Sequence, residues 1–204
     1  MGFIFSKILF IKNFCYEKKE YFVPIFGNEC CGKSTIINKL RQEKGEFIIP
    51  HIGIKMEVTY KKLRIEELLP FSIKPIVLWK YYLTIIDGLI LVVDSSNKES
   101  IEETADIFWK YFAESVRNIN ILIVANKQDL KEALSVDEIS SILKLENLNE
   151  NKWKIVPNSF NNLDELYKGL DWIDNLLKID SKNFLNHTNN DSQIKFRKLF
   201  NSIP

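Results

Sequence analysis

The sequence has too little cysteine to build a disulfide framework. Of 204 residues three are cysteine, Cys15, Cys30 and Cys31, and two of these sit side by side in a glycine-bounded loop where a bridge would wreck the backbone curl. A reducing, cytosolic setting is the expectation. An excess of one charge is also missing. Lys and Arg number 28 against 27 Asp and Glu, a formal net charge of +1, which gives no global pull toward nucleic acid. No apolar stretch reaches the roughly 18 residues needed to span a membrane. The N-terminal stretch is apolar, but Lys7 and Lys12 interrupt it and no small-residue cleavage site follows, which argues against a secretory signal. Glycine is scarce, at seven, in a chain rich in Asn, Lys and Ile, so a single Asn or Lys is a weak sign of function. No internal repeat is visible. What is present is 46% hydrophobic residues, enough for a sizeable core in one domain with appendages.

The sharpest signal is Gly27-Asn28-Glu29-Cys30-Cys31-Gly32-Lys33-Ser34-Thr35, which reads G-x-x-x-x-G-K-[S/T]. An apolar run, Tyr21 to Phe26, leads into it, and the helical pattern Ile36, Ile37, Leu40 leaves it. Strand, glycine turn and helix are the context a phosphate-binding loop requires. Gly27 and Gly32 let the backbone curl so that successive N–H groups point inward at phosphate oxygens. The N-terminus of the following helix adds to that field. Lys33 is expected to reach the β and γ phosphates, and the Ser34 hydroxyl to ligate Mg²⁺. Pro24 is an oddity, because it removes a ladder donor from what should be a central strand.

The rest of the chain alternates. Residues 1–20 form an apolar arm with lysines whose start, Met1-Gly2 to Ser6, matches the N-myristoylation pattern M-G-x-x-x-[S/T]. Met56, Val58 and Tyr60 predict a half-buried strand, Lys61-Lys62 a turn, and Leu63-Arg64-Ile65 its partner. Pro70 and Pro75 argue for a loop, with a short helix over Ile76–Thr84. Gly88 to Asp94 and Ile119 to Ala125 are continuous apolar runs of the buried parallel kind. Trp153 to Pro157 is a shorter third strand. Ser100-x-x-Glu103, Ser135-x-x-Glu138 and Asn162-x-x-Glu165 predict helix starts, the first helix running through about Val116. In the last helix Leu166, Leu170, Ile173, Leu176 and Leu177 face one way. From about Asp180 the chain turns polar, as a flexible tail does. The expected division is an arm at 1–20, a nucleotide domain at 21–178 and a tail at 179–204. Alternating strands and helices give an α/β fold, a mostly parallel sheet covered on both faces, with the ligand at the carboxyl ends of the strands.

A second string, Asn126-Lys127-Gln128-Asp129, follows a buried strand downstream of the phosphate loop. A carboxylate can accept two hydrogen bonds from the ring N–H and exocyclic amine of guanine. Adenine lacks that donor pair and would leave a buried carboxylate unpaired. Asn126 would tie this loop to the phosphate loop, and the Lys127 stem would pack over the base.

With these residues the sequence resembles the Arf and Arf-like (ADP-ribosylation factor) small GTPases over about residues 2–178. The resemblance is carried by Gly2 with the apolar arm, the phosphate loop, Ile49-Pro50-His51-Ile52-Gly53, Leu78-Trp79-Lys80-Tyr81-Tyr82, Gly88 to Asp94, Ala125 to Leu130, and Leu166-Tyr167-Lys168-Gly169-Leu170-Asp171-Trp172. It implies a six-stranded Ras-like fold, GTP and GDP binding with Mg²⁺, and an N-terminal helix acylated at Gly2; a monomer is also expected. It also implies work in membrane traffic, by resemblance at the Golgi, through effector and exchange-factor proteins and membrane lipids. The loop Ser159-Phe160-Asn161 should lie against the guanine.

The resemblance breaks in both switches. The family carries Pro-Thr-Ile-Gly in switch I, where this chain has His51 in place of the Mg²⁺-binding Thr; Mg²⁺ prefers hard oxygen ligands. In switch II the family has Trp-Asp-x-Gly-Gly-Gln. Counting back from Trp79, this chain offers Glu67-Leu68-Leu69-Pro70-Phe71-Ser72, give or take one residue. The Asp that orients a Mg²⁺ water, the glycine N–H that reaches the γ phosphate and the Gln that orients the attacking water are gone. Glu66 and Glu67 read as a solvated strand end, with a carboxylate near the metal as the alternative. The expectation is a guanine-nucleotide-binding protein with impaired hydrolysis and weakly held Mg²⁺, Ser34 being the one family ligand left. The alternatives are an active GTPase using replacement residues and a scaffold that binds little nucleotide.

Overall fold

A computed structural model describes residues 20–44, 56–68, 85–111, 113, 119–148 and 152–181. The chain divides into two units, residues 20–174 and residues 1–19 with 175–204. Of the second unit only residues 175–181 are described, and they are helical. The arm and its Gly2, His51, Pro70 to Ser72, the helix expected at 76–84 and most of the tail lie outside the described residues.

In residues 20–174 the strands are β1 (Tyr21–Phe22), β2 (Ile25–Phe26), β3 (Glu57–Tyr60), β4 (Leu63–Glu66), β5 (Gly88–Asp94), β6 (Asn120–Asn126) and β7 (Trp153–Pro157). The helices are α1 (Lys33–Glu43), α2 (Lys98–Tyr111), α3 (Val136–Leu143) and α4 (164–181). β1 pairs with β4 and β4 with β3; β2 pairs with β5, β5 with β6 and β6 with β7. Every pairing is parallel except the β3–β4 hairpin. The run Tyr21 to Phe26 therefore joins the two sets, and counted as one strand it gives six. This is the expected Ras-like α/β arrangement.

Pro24 falls in the break between β1 and β2, where its missing N–H costs no ladder bond. Its carbonyl still accepts from Ile90 N, and Val23 N donates to Arg64 O. β5 and β6 are paired from Gly88↔Asn120 to Asp94↔Asn126, and all of β6 is buried. Such strands, covered on both faces, read as continuous apolar runs. One face carries Leu89, Leu91, Val93, Ile121 and Ile123 in a core with Ile101, Ala105 and Phe108 of α2 and Ile139 and Leu143 of α3. Ile36, Ile37 and Leu40 of α1, and Leu166, Leu170 and Ile173 of α4, are buried as their spacing predicts. At Gly169 α4 comes so close to β6 that a Cβ would lie 2.8 Å from Leu122 Cδ1.

Two helix starts differ in kind. Ser135 and Glu138 form a complete capping box at α3. Ser100 and Glu103 do not cap α2, which starts earlier. Asn97 takes that place, its Oδ1 accepting from Ser100 N at 2.9 Å. The carboxyl ends of β2, β4, β5, β6 and β7 share one edge, because all five run parallel.

Candidate nucleotide-binding site

The phosphate loop leaves β2 at Gly27. Its φ is +150°, and a Cβ there would lie 2.2 Å from Val92 O of β5. Only glycine lets the loop pass this close to the neighbouring strand. Gly32, φ +101°, sits at the start of α1, and no side chain caps the helix. Its first N–H groups are thus left to other partners. Cys30 adopts a left-handed φ of 58° without being glycine. Lys33 is buried and folds back over its own loop. Its Nζ donates to Gly27 O at 3.0 Å and Asn28 O at 2.7 Å, and lies 3.7 Å from Cys31 Sγ. Burial pushes the Cys31 thiol up, and the Lys33 charge offsets only part of that.

The tip of the loop is anchored to α2. Asn28 Nδ2 donates to Ser100 O and Oγ, each at 3.2 Å, and to Glu103 Oε2 at 3.0 Å. The Ser100/Glu103 pair, misread as a cap, thus holds the phosphate loop in place. Asn28 and Glu29 border a separate hollow of about 520 Å³ with Asn97, Glu99, Ser100 and Glu103. On the other side Ser34 Oγ donates to Glu67 Oε1 at 2.8 Å. The reading of Glu66 and Glu67 as a solvated strand end is therefore corrected. Glu66 is buried, with Arg64 Nη1 3.1 Å away, and Glu67 reaches the hydroxyl expected to ligate Mg²⁺. A hydroxyl and a carboxylate are hard oxygen donors of the kind Mg²⁺ takes.

The second loop starts at the last residue of β6. Buried Asn126 donates from Nδ2 to Cys31 O at 2.8 Å, and its Oδ1 accepts from Asn158 Nδ2 at 2.8 Å. A Cβ on Gly32 would lie 2.1 Å from Asn126 Nδ2, so the tie needs a glycine opposite it. Lys127, at φ 65°, sends Nζ to Asp94 Oδ2 at 2.5 Å. Partial burial works against the Asp94 charge, but hydrogen bonds from Lys127 and Ser96 outweigh it and hold the carboxyl below its usual range. Gln128 Nε2 donates to Ser95 Oγ at 2.8 Å and Leu134 O at 3.0 Å, and its N–H to Asn158 O.

Between the loops lies a cavity of about 370 Å³. Its walls include Cys30, Gly32, Thr35, Lys39, Asn126, Lys127, Asp129, Asn158 and Phe160. That volume is in the ordinary range for a small-molecule site. Asp129 is exposed on its rim. Phe160 is 54% exposed, with Lys39 Nζ 3.9 Å from its ring centroid. Asn158 Oδ1 is buried with no hydrogen-bond partner, an acceptor left over in the wall. Two participants, Asp94 and Asn158, are not anticipated from the sequence, and a third, Glu67, enters there only as an alternative. Asp94 and Asn158 each stand at or just past the end of a predicted strand, where a site residue could have been sought. Glu67 was weighed but could not be aimed without the strand register.

The matched residues converge as their order along the chain implies. A glycine loop with a folded-back lysine, an Asn tie to a second loop, and an exposed Asp on the shared cavity are brought together by the parallel strand ends. The sequence model of the ADP-ribosylation factor family matches residues 6–177, most of the chain. With that match and this fold, the chain belongs to the ADP-ribosylation factor family of small GTP-binding proteins.

Proposed function

We propose that this protein holds GTP or GDP between its two loops and hydrolyses GTP slowly or not at all. The observation that supports the reading most is the Asn126 to Cys31 hydrogen bond, which ties the Asp129 loop to the phosphate loop across one cavity. In this reading Gly27, Asn28, Glu29, Cys30, Cys31, Gly32 and Thr35 supply a cradle of backbone N–H groups for the phosphates. Lys33 exchanges its loop carbonyls for phosphate oxygens. Asp129 accepts from the guanine ring N–H and amine, the Lys127 stem covers one face, and Phe160 lies against the base. When bound, Mg²⁺ supplies charge neutralisation at the phosphates, with Ser34 as a protein ligand. Slow hydrolysis rests on the missing switch II Asp, Gly and Gln. Loss of a group acting only in the transition state costs on the order of 10²–10³ in rate.

The same reading makes the protein a peripheral membrane module in vesicle traffic, with the Golgi as the family-based site. Gly2 would carry a myristoyl chain, which alone binds only marginally, and the apolar, lysine-bearing arm would supply the second signal. Effectors and exchange factors would be its partners. Among the described residues no helix is long and apolar enough to cross a membrane.

Competition of GTP, GDP and ATP for the purified full chain tests the nucleotide claim. Guanine nucleotides should win, and Asp129→Asn should lower GTP affinity by about tenfold or more and favour xanthine nucleotides, whose 2-oxo group wants a donor. Equal affinity for ATP and GTP would sink the proposal. Single-turnover phosphate release at a rate typical of intact small GTPases would sink the slow-hydrolysis part alone.

A further inference from the structure

We propose that Glu67 is a metal-site carboxylate, replacing the acid this chain has lost from switch II and completing a Mg²⁺ half-site with Ser34. The inference rests on the nucleotide reading above and revises the expectation that Ser34 stands alone. Its first support is the contact itself, Ser34 Oγ to Glu67 Oε1 at 2.8 Å. This hydrogen bond uses one carboxylate oxygen, and among the described residues no hydrogen bond or ion pair holds the other.

The second support is that the backbone aims this side chain. Glu67 N donates to Met56 O at 2.7 Å, and Leu68 N donates to Ile25 O at 3.3 Å. Glu67 also bridges Ile25 in parallel register, two residues before Gly27. The carboxylate is thus carried on a strand end fixed from both sides, next to the start of the phosphate loop. Side chains alternate along a strand, so Glu66 and Glu67 leave it on opposite faces. Glu66 goes inward to Arg64, and Glu67 goes to Ser34.

The third support is electrostatic. Glu67 is half-buried, and among the described residues no Lys, Arg or His lies within ion-pair distance of it. The ammonium of Lys33 is engaged with loop carbonyls. A carboxylate at the mouth of a phosphate site repels the phosphates unless a cation stands between them. A divalent ion converts that repulsion into attraction, since it is drawn to both. Glu67 therefore makes nucleotide retention depend on the metal in a signed way. It weakens binding without Mg²⁺ and strengthens binding with it.

The test uses the full chain loaded with a fluorescent GDP analogue. Release is followed in EDTA and in millimolar Mg²⁺ for wild type, Glu67→Gln and Glu67→Asp. Mn²⁺ affinity of the loaded proteins is titrated by electron paramagnetic resonance. Glu67→Gln should release nucleotide more slowly than wild type in EDTA and faster in Mg²⁺, so that the two pairs of rates cross. Its Mn²⁺ affinity should fall by about tenfold. Glu67→Asp, which keeps the charge, should preserve the sign of the wild-type Mg²⁺ effect. Equal shifts of Glu67→Gln in EDTA and Mg²⁺, or unchanged Mn²⁺ affinity, overturn this inference while leaving nucleotide binding intact. Failure of the wild type to hold the analogue under either condition overturns the nucleotide reading and this inference with it.

Discussion

The two halves of the candidate site stand on different foundations. The base half, with Asp94, Asn126 to Asp129, Asn158 and Phe160, sits at the ends of β5, β6 and β7. β5 and β6 are seven residues each, paired along their whole length and almost wholly buried. The phosphate and metal half, with Gly27 to Thr35 and Glu67, sits at the ends of β2 and β4. β2 has two residues, β1 before it has two, and β4 has four. This chain keeps the family's base motif on the long strands and its phosphate loop at the end of the short β2. Its departures, His51 and the residues after Glu67, lie outside the described residues except for Leu68, which is buried in the core. A loop on long central strands inherits its position from the core. The comparison teaches that loss of the switch residues does not imply loss of the base site.

The largest effect should come from breaking the joint between the halves. Gly32→Val places a Cβ that would lie 2.1 Å from Asn126 Nδ2, on a backbone with φ +101°. A β-branched residue in that conformation costs about 1–3 kcal/mol before the clash is counted. Thermal unfolding should shift down and nucleotide binding should fall below detection, because both loops lose their mutual position. An unchanged melting temperature with unchanged affinity would mean the halves are not joined here.

Asn126→Ala should do less. It keeps the loops uncrowded but removes a donor to Cys31 O and an acceptor for Asn158 Nδ2. Each buried group left unpaired costs about 1–3 kcal/mol. Urea unfolding should show that loss, and nucleotide release should quicken. If stability drops while release is unchanged, Asn126 serves the core and not the site.

How much of this was legible follows the same division. β5 and β7 match their predicted bounds; β5 is an apolar run covered on both faces, and β7 is a half-buried edge strand that ends at Pro157. The Ser-x-x-Glu string had two readings. At Ser135 it is a capping box, whereas at Ser100 it anchors Asn28. The difference lies in Asn97, which already accepts from Ser100 N, so the helix has begun before the string is reached. Local spacing does not reveal that a neighbour has taken the role. Glu67 was ambiguous for another reason. Two adjacent acids on a strand point opposite ways, and only the pairing of Ile25 with Glu67 decides which faces the loop. Asn158 was missed because a lone Asn after a strand says nothing until Asn126 is placed beside it.

The smallest effect concerns Asp94 and bears on the base half alone. Lys127 Nζ lies 2.5 Å from its Oδ2, with side-chain exposures of 32% and 13% for the two partners. Hydrogen bonds from Lys127 and Ser96 overcome the burial cost and hold the folded carboxyl below its ordinary value of 3.8. A group depressed on folding stabilises the protein at pH above its unfolded value. The contribution is lost as pH falls through the lower folded value, because the native state must then take up the proton. Partial solvent access limits its size to about 1 kcal/mol or less. Asp94→Asn should therefore unfold slightly more easily than wild type at neutral pH, and the gap should close as the pH drops below 3.8. Urea titrations of both proteins across that range give the measurement. A gap that stays constant into strong acid would assign the effect of Asp94 to packing. In that case the Lys127 stem would be held over the cavity by shape, and acid would leave the base half as firmly placed as before.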